Sequence, residues 1–151
     1  MSSYTKIEIN TDKVELTNDV IKTLENLTGS FWYGFEDCKQ IISKNHLEYY
    51  KAFNHDFEKA ISLLKLIEKY SVHSDIVEKI GELDSEDYFG DSDRDIFLYK
   101  GKIYMVYSRY DRWGDTYFVS DLNLSSKTIE DEKFSIIQII EKYLVENSSS
   151  S

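Results

Sequence analysis

The sequence predicts an α+β fold: a short N-terminal strand, several helices, a three-stranded antiparallel meander and a C-terminal packing helix. Three observations predict it. Apolar residues recur three or four apart over much of the first seventy positions. Residues 95–122 then alternate in the strand manner, with turn residues between the runs. A final helical spacing starts at Ile129.

The first strand is KIEIN, residues 6–10, followed by an acidic linker, TDKVEL. Thr17 then stands where a helix cap belongs, because Val20, Ile21, Leu24 and Leu27 follow at helical spacing. Thr28-Gly29-Ser30 ends that helix. FWYGF, residues 31–35, reads as a core plug, with an exposed aromatic patch as the alternative. Residues 36–42 read as a helical turn or two. Leu47, Tyr50, Phe53, Phe57, Ile61, Leu64 and Ile67 predict one long helix that anchors the core and ends near Tyr70-Ser71. Residues 75–80 predict a short helix ended by Gly81. The segment 81–95 is rich in carboxylates and glycine and reads as a loop.

The meander comprises strands at 95–99, 102–110 and 116–122, with turns at Lys100-Gly101 and 111–115. Both faces of its second strand carry large side chains. That strand is either central and covered on both sides, or it displays tyrosines. The closing helix spans 129–145, with Phe134, Ile137, Ile140 and Leu144 as its stripe. Such a stripe suits burial against a sheet or against a second copy of the chain. One domain is expected over 1–146, and 147–151 read as a disordered polar tail.

Composition narrows the function. A single cysteine, Cys38, leaves no internal disulfide framework and fits a core position in a reducing compartment. The N-terminal residues lack the apolar core of a secretory signal, and no apolar run reaches membrane-spanning length. A cytoplasmic protein without membrane contact is therefore expected. The net charge is −10. Most of it lies in residues 74–95, which hold nine carboxylates against Lys79 and Arg94. A charge so concentrated steers a basic partner and disfavours a phosphate backbone, so direct nucleic-acid binding is not expected.

Few residues suggest chemistry. Asp91, Asp93 and Asp95 have the opening spacing of a calcium loop. Ile96 stands where its glycine belongs, and Lys102 where its bidentate glutamate belongs. His46, His55 and His73 make no zinc spacing with Cys38. No catalytic motif is present, so no catalytic residue, metal or cofactor is expected. The candidate partner-binding residues are Glu82, Asp84, Glu86, Asp87, Asp91 and Asp93 of the acidic stretch. Tyr110, Arg112, Trp113 and Tyr117 of the second meander turn join them, being of the types that dominate interface hot spots.

The leading expectation is a protein-binding inhibitor or neutraliser, of the immunity or anti-defence kind. Carboxylates would stand in for phosphates and occlude a nuclease or another basic, nucleic-acid-binding protein. A structural accessory module, including a homodimer, and an uncharacterised enzyme or small-ligand domain are the alternatives.

Overall fold

The computed structural model describes residues 5–27, 38–43, 46–53, 57–85, 92–111, 114–131 and 135–149. Its body is one eight-stranded sheet, antiparallel at every junction, in the order β2-β3-β1-β4-β5-β6-β7-β8. In chain order the elements are β1 Thr5–Thr11, α1 Asn18–Leu27, β2 Cys38–Ser43, β3 His46–Phe53, α2 Phe57–Lys69 and β4 Glu78–Ser85. They continue as β5 Ser92–Tyr99, β6 Lys102–Asp111, β7 Gly114–Asp121, β8 Ser126–Asp131 and α3 Ile136–Ser149.

This overturns the expected fold class. The meander is not a separate three-stranded unit beside several helices. Its strands are β5, β6 and β7 of a single large sheet. The long helix expected from Leu47 to Ile67 is a strand, β3, followed by α2. In β3 the buried residues are Leu47, Tyr49 and Lys51, an alternation disguised by a lysine on the inward side. Residues 36–42 are not helical where described, since β2 begins at Cys38. Residues 75–80 form no helix, and Ile76 is 75% exposed. The acidic segment is not one loop, because β4 runs to Ser85 and β5 starts at Ser92. The closing helix does not start at Ile129, which lies in β8. At its far end α3 extends through residues 147–149, expected to be a disordered tail. FWYGF lies outside the described residues.

The helices divide between the two faces. Ile7 and Ile9 of β1, Leu47 and Tyr49 of β3, Ile96 and Leu98 of β5, and Ile103 and Met105 of β6 share one core with α1 and α2. From α2 come Phe57, Ala60, Ile61, Leu63, Leu64 and Ile67. At about 1.5–3 kcal/mol per large apolar side chain, this helix is the main stabiliser of that face. The opposite face holds a second core. Phe97 and Tyr99 of β5, Tyr104 and Val106 of β6, Val119 of β7 and Ile129 of β8 pack there against Ile139, Ile140 and Tyr143 of α3. Residues 96–99 of β5 and 103–106 of β6 are thus covered on both sides, so the first of the two expectations holds for that part of the second meander strand. The stripe of α3 is used within this chain.

Local chemistry accounts for the joints. The Val20 N–H donates to Thr17 Oγ1 at 3.4 Å, so Thr17 caps α1 as expected. Ser135 and Gln138 form a reciprocal capping box on α3. The Ser135 N–H donates to Gln138 Oε1 at 3.0 Å, and the Gln138 N–H donates to Ser135 Oγ at 3.4 Å. Lys100 and Gly101 both have positive φ, 52° and 74°, as the two-residue turn between β5 and β6 requires. Gly81 does not end a helix. It sits inside β4 beside a bulge, where a Cβ would lie 1.8 Å from the carbonyl oxygen of Glu8.

Candidate functional site

Helix α3 lies over β7 and β8, and its core reaches β5 at Phe97 and Tyr99. Among the described residues, no helix packs on the other half of that face, formed by β3, β1, β4 and the first part of β5. The core side of β1 takes Thr5, Ile7, Ile9 and Thr11, so Lys6, Glu8 and Asn10 point to the open side. By the same alternation β3 presents Glu48 and Tyr50 there, β4 presents Glu82 and Asp84, and β5 presents Asp93 and Asp95.

Register gathers these groups into rows. Glu8 faces Tyr50 on β3 and Glu82 on β4, and Glu82 faces Asp95 on β5. Lys6 faces Asp84, and Asp84 faces Asp93. Opposed side chains on neighbouring strands stand about 4.5–5.5 Å apart at Cβ. Among the described side chains, six carboxylates from four strands therefore share one surface with Lys6 and Lys79, and Lys39 of β2 takes a register position on that face opposite Tyr50. Like charges set opposite each other repel, so this arrangement lowers stability.

The lysines bridge parts of the cluster. Lys79 Nζ lies 3.0 Å from Glu82 and 3.3 Å from Asp95, and the Glu82 hydrogen bond leads in raising its pKa. Lys6 Nζ lies 3.2 Å from Asp84 Oδ2. The other cation of the acidic stretch, Arg94, turns to the opposite face. It is 9% exposed, stacks over the Tyr107 ring at 5.1 Å, and has its pKa lowered chiefly by burial. Its charge is therefore not added to that of Lys6 and Lys79 on the acidic face.

Asp84 is the perturbed member. Its Oδ1 is buried and has no hydrogen-bond partner among the described residues. Burial, then the Asp93 carboxyl beside it, push its pKa up to about 6, against the opposing pull of Lys6.

Of the residues expected to bind a partner, the structure brings Glu82, Asp84 and Asp93 onto one face. Glu86, Asp87, Asp91, Arg112 and Trp113 lie outside the described residues. Tyr110 pairs with Asp115 through the β6–β7 ladder. Tyr117 is half-buried and packs against the α3 core. Glu8, Glu48 and Asp95 belong to the face and were not among the expected site residues. The outward phase of Glu8 is legible between Ile7 and Ile9. Its position beside Glu82 follows from strand order alone. The two hairpins do share an end of the sheet. The β4–β5 ladder closes at Ser85 and Ser92 and the β6–β7 ladder at Asp111 and Gly114, about 10 Å apart across two strand spacings.

The calcium-like spacing falls on extended strand where it is described, with Asp93 and Asp95 in β5 and Ile96 in the core. Among the described residues no group of three or more His, Cys, Asp or Glu side chains could hold a metal ion. No helix among them is long and apolar enough to cross a membrane.

A groove of about 590 Å³ lies at the other end of the sheet, between α2, the start of β6 and the end of α3. Its acidic residues are engaged in the fold. Glu68 Oε2 accepts the Ile103 N–H at 2.8 Å, and Asp121 Oδ1 accepts the N–H groups of Asn123 and Ser125. Burial pushes the Tyr104 phenol in its wall up to about 12. These are structural roles.

The molecule is thus built on a single large antiparallel sheet flanked by three helices, and among the described residues half of one face is acidic and carries no helix. The chain matches no protein-family model, no curated protein and no solved structure.

Proposed function

We propose that this protein is a cytoplasmic neutraliser that binds a basic protein through the open half of its sheet. The observation that supports this is the shared surface of Glu8, Glu48, Glu82, Asp84, Asp93 and Asp95, drawn from four strands. Five of its carboxylates stand in two rows across the strands, Glu8, Glu82 and Asp95 in one and Asp84 and Asp93 in the other, while Glu48 stands beside Asn10 in a third. Spacing along a strand is about 6.6–6.8 Å between alternate residues, and across strands about 4.8 Å. A rigid lattice of negative charge presents a basic groove with the charges it would meet on a phosphate backbone. It costs little conformational entropy on binding because the sheet already orders it. A nuclease or another nucleic-acid-binding protein is the class of partner this suits, and occlusion of its groove is the mechanism.

Affinity capture from host cells should return a basic protein. Its association rate with this chain is expected to fall by about tenfold or more between ~20 and ~200 mM salt, because steering is screened beyond a Debye length. The triple variant Glu8→Gln, Glu82→Gln, Asp95→Asn should associate more slowly and with a flatter salt response. An association rate indifferent to salt, or a triple variant that binds like the wild type, would overturn the proposal.

A further inference from the structure

We propose that the facing carboxyls of Asp84 and Asp93 act as a proton-controlled gate on the acidic face. With one proton held between them the face binds a basic partner weakly, and with both ionised it binds strongly. The inference rests on the acidic-face function proposed above and adds its regulation.

The geometry carries it. Asp84 and Asp93 are directly opposed across the β4–β5 ladder, at the end of the sheet where that hairpin closes. Asp84 uses Oδ2 on Lys6, at 3.2 Å, and its buried Oδ1 has no donor among the described residues. A carboxylate oxygen that is buried without a donor is costly, and a proton shared with the opposite carboxyl satisfies it. The Asp93 carboxyl across the ladder adds to burial in favouring a proton on Asp84.

The surroundings decide how firmly that proton is held. From β1, Lys6 favours the ionised pair and Glu8, one position along, opposes it. From β5, Asp95 adds a second negative charge beside Asp93. On β4 itself Glu82 lies two residues away on the same face, and Lys79 is occupied with Glu82 and Asp95. Around the pair the described groups are thus mostly acidic. Removing the proton adds a negative charge to the face, and a partner's guanidinium or ammonium placed over the pair favours that charged form. Binding of a cation and release of the proton are therefore linked, and affinity rises with pH.

Two measurements on the full chain test this. The first needs no partner. Carboxyl carbon NMR should show Asp84 titrating near pH 6 in the wild type. In Asp93→Asn its midpoint should drop by about one unit or more, because the opposed acid is gone. A wild-type midpoint in the ordinary aspartate range, or one unmoved by Asp93→Asn, overturns the gate.

The second uses an oligo-arginine peptide, whose charge does not change over this range, at fixed low salt. Wild-type affinity should fall about tenfold from pH 7 to pH 5, the ratio of ionised fractions for a group titrating near 6. Asp93→Asn should bind more weakly at pH 7 and show most of that dependence removed. The three histidines are retained in the variant, so their charging cancels from the difference. Asp84→Asn provides a second variant with the same expectation. Binding without pH dependence, or a dependence that survives both substitutions, overturns the gate and leaves the acidic face standing. No binding of the peptide at any pH overturns both.

Discussion

Two residues on β4 illustrate how much one side chain can decide. Gly81 lies so close to the β1 backbone that a methyl group would meet the Glu8 carbonyl at 1.8 Å. Neither strand can move without disturbing the ladder. Gly81→Ala is expected to destabilise the fold by about 1–3 kcal/mol or more, the range for overpacking. Urea unfolding checks it, and an unchanged midpoint would show that the strands separate freely. Asp84 acts through protonation. Its folded pKa, about 6, lies above the value of 3.8 it starts from. The folded chain therefore holds this proton more tightly than the unfolded chain does. The resulting stability is complete below about pH 4 and is lost as pH rises through about 6. Asp84→Asn should flatten this decline, so that between about pH 4 and 7 the variant loses less stability than the wild type. Parallel pH profiles of the two proteins would refute the assignment.

At the scale of elements, much was legible where local chemistry and burial agreed. Thr17 and the apolar spacing behind it define α1. Phe57, Ile61, Leu64 and Ile67 define the buried side of α2. The alternation from Ile96 to Leu122 defines β5, β6 and β7. Elements were missed where burial departed from chemical type. Lys51 faces inward in β3 and breaks its alternation, while Leu47, Tyr50 and Phe53 fit a helical spacing by coincidence. In β4 the bulge between Lys79 and Gly81 places the buried Ile80 and Leu83 three apart, so the strand has no period of two. In β8 Ile129 is the one buried apolar residue, too little for a pattern. The start of α3 had a usable signal, the Ser135-x-x-Gln138 capping box. Ser135→Ala is expected to cost about 1 kcal/mol in thermal or urea unfolding, without altering the core. A loss near zero would mean that packing alone sets where α3 begins.

At the scale of the whole molecule, the sheet turns a charge imbalance into a surface. Carboxylates that repel in rows are held there by the core beneath, through Ile7, Ile9, Leu83 and Ile96. Screening should relieve the repulsion. The unfolding midpoint is expected to rise as sodium chloride increases from ~20 to ~300 mM, and to rise less in the Glu8→Gln, Glu82→Gln, Asp95→Asn variant. Equal salt responses in the two proteins would place the repulsion elsewhere. The same triple variant should be more stable than the wild type at low salt, so the proposed function and the fold oppose each other on this face.

The sequence by itself determined the excess of negative charge, its concentration in residues 74–95, and the outward phase of Glu8 between Ile7 and Ile9. It determined α1, the buried stripe of α2 and, in outline, the strands expected at 95–99, 102–110 and 116–122, because each is encoded by neighbours a few residues apart. Tertiary structure alone decided that the meander belongs to an eight-stranded sheet, that α3 covers only half of one face, and that Arg94 turns away from the acids around it. It also decided that Glu8 and Glu48 join Glu82, Asp84, Asp93 and Asp95. The physical reason is that pairing of β1 between β3 and β4 depends on hydrogen-bond register and on a shared core. Both are relations between residues dozens of positions apart, and no local spacing records them.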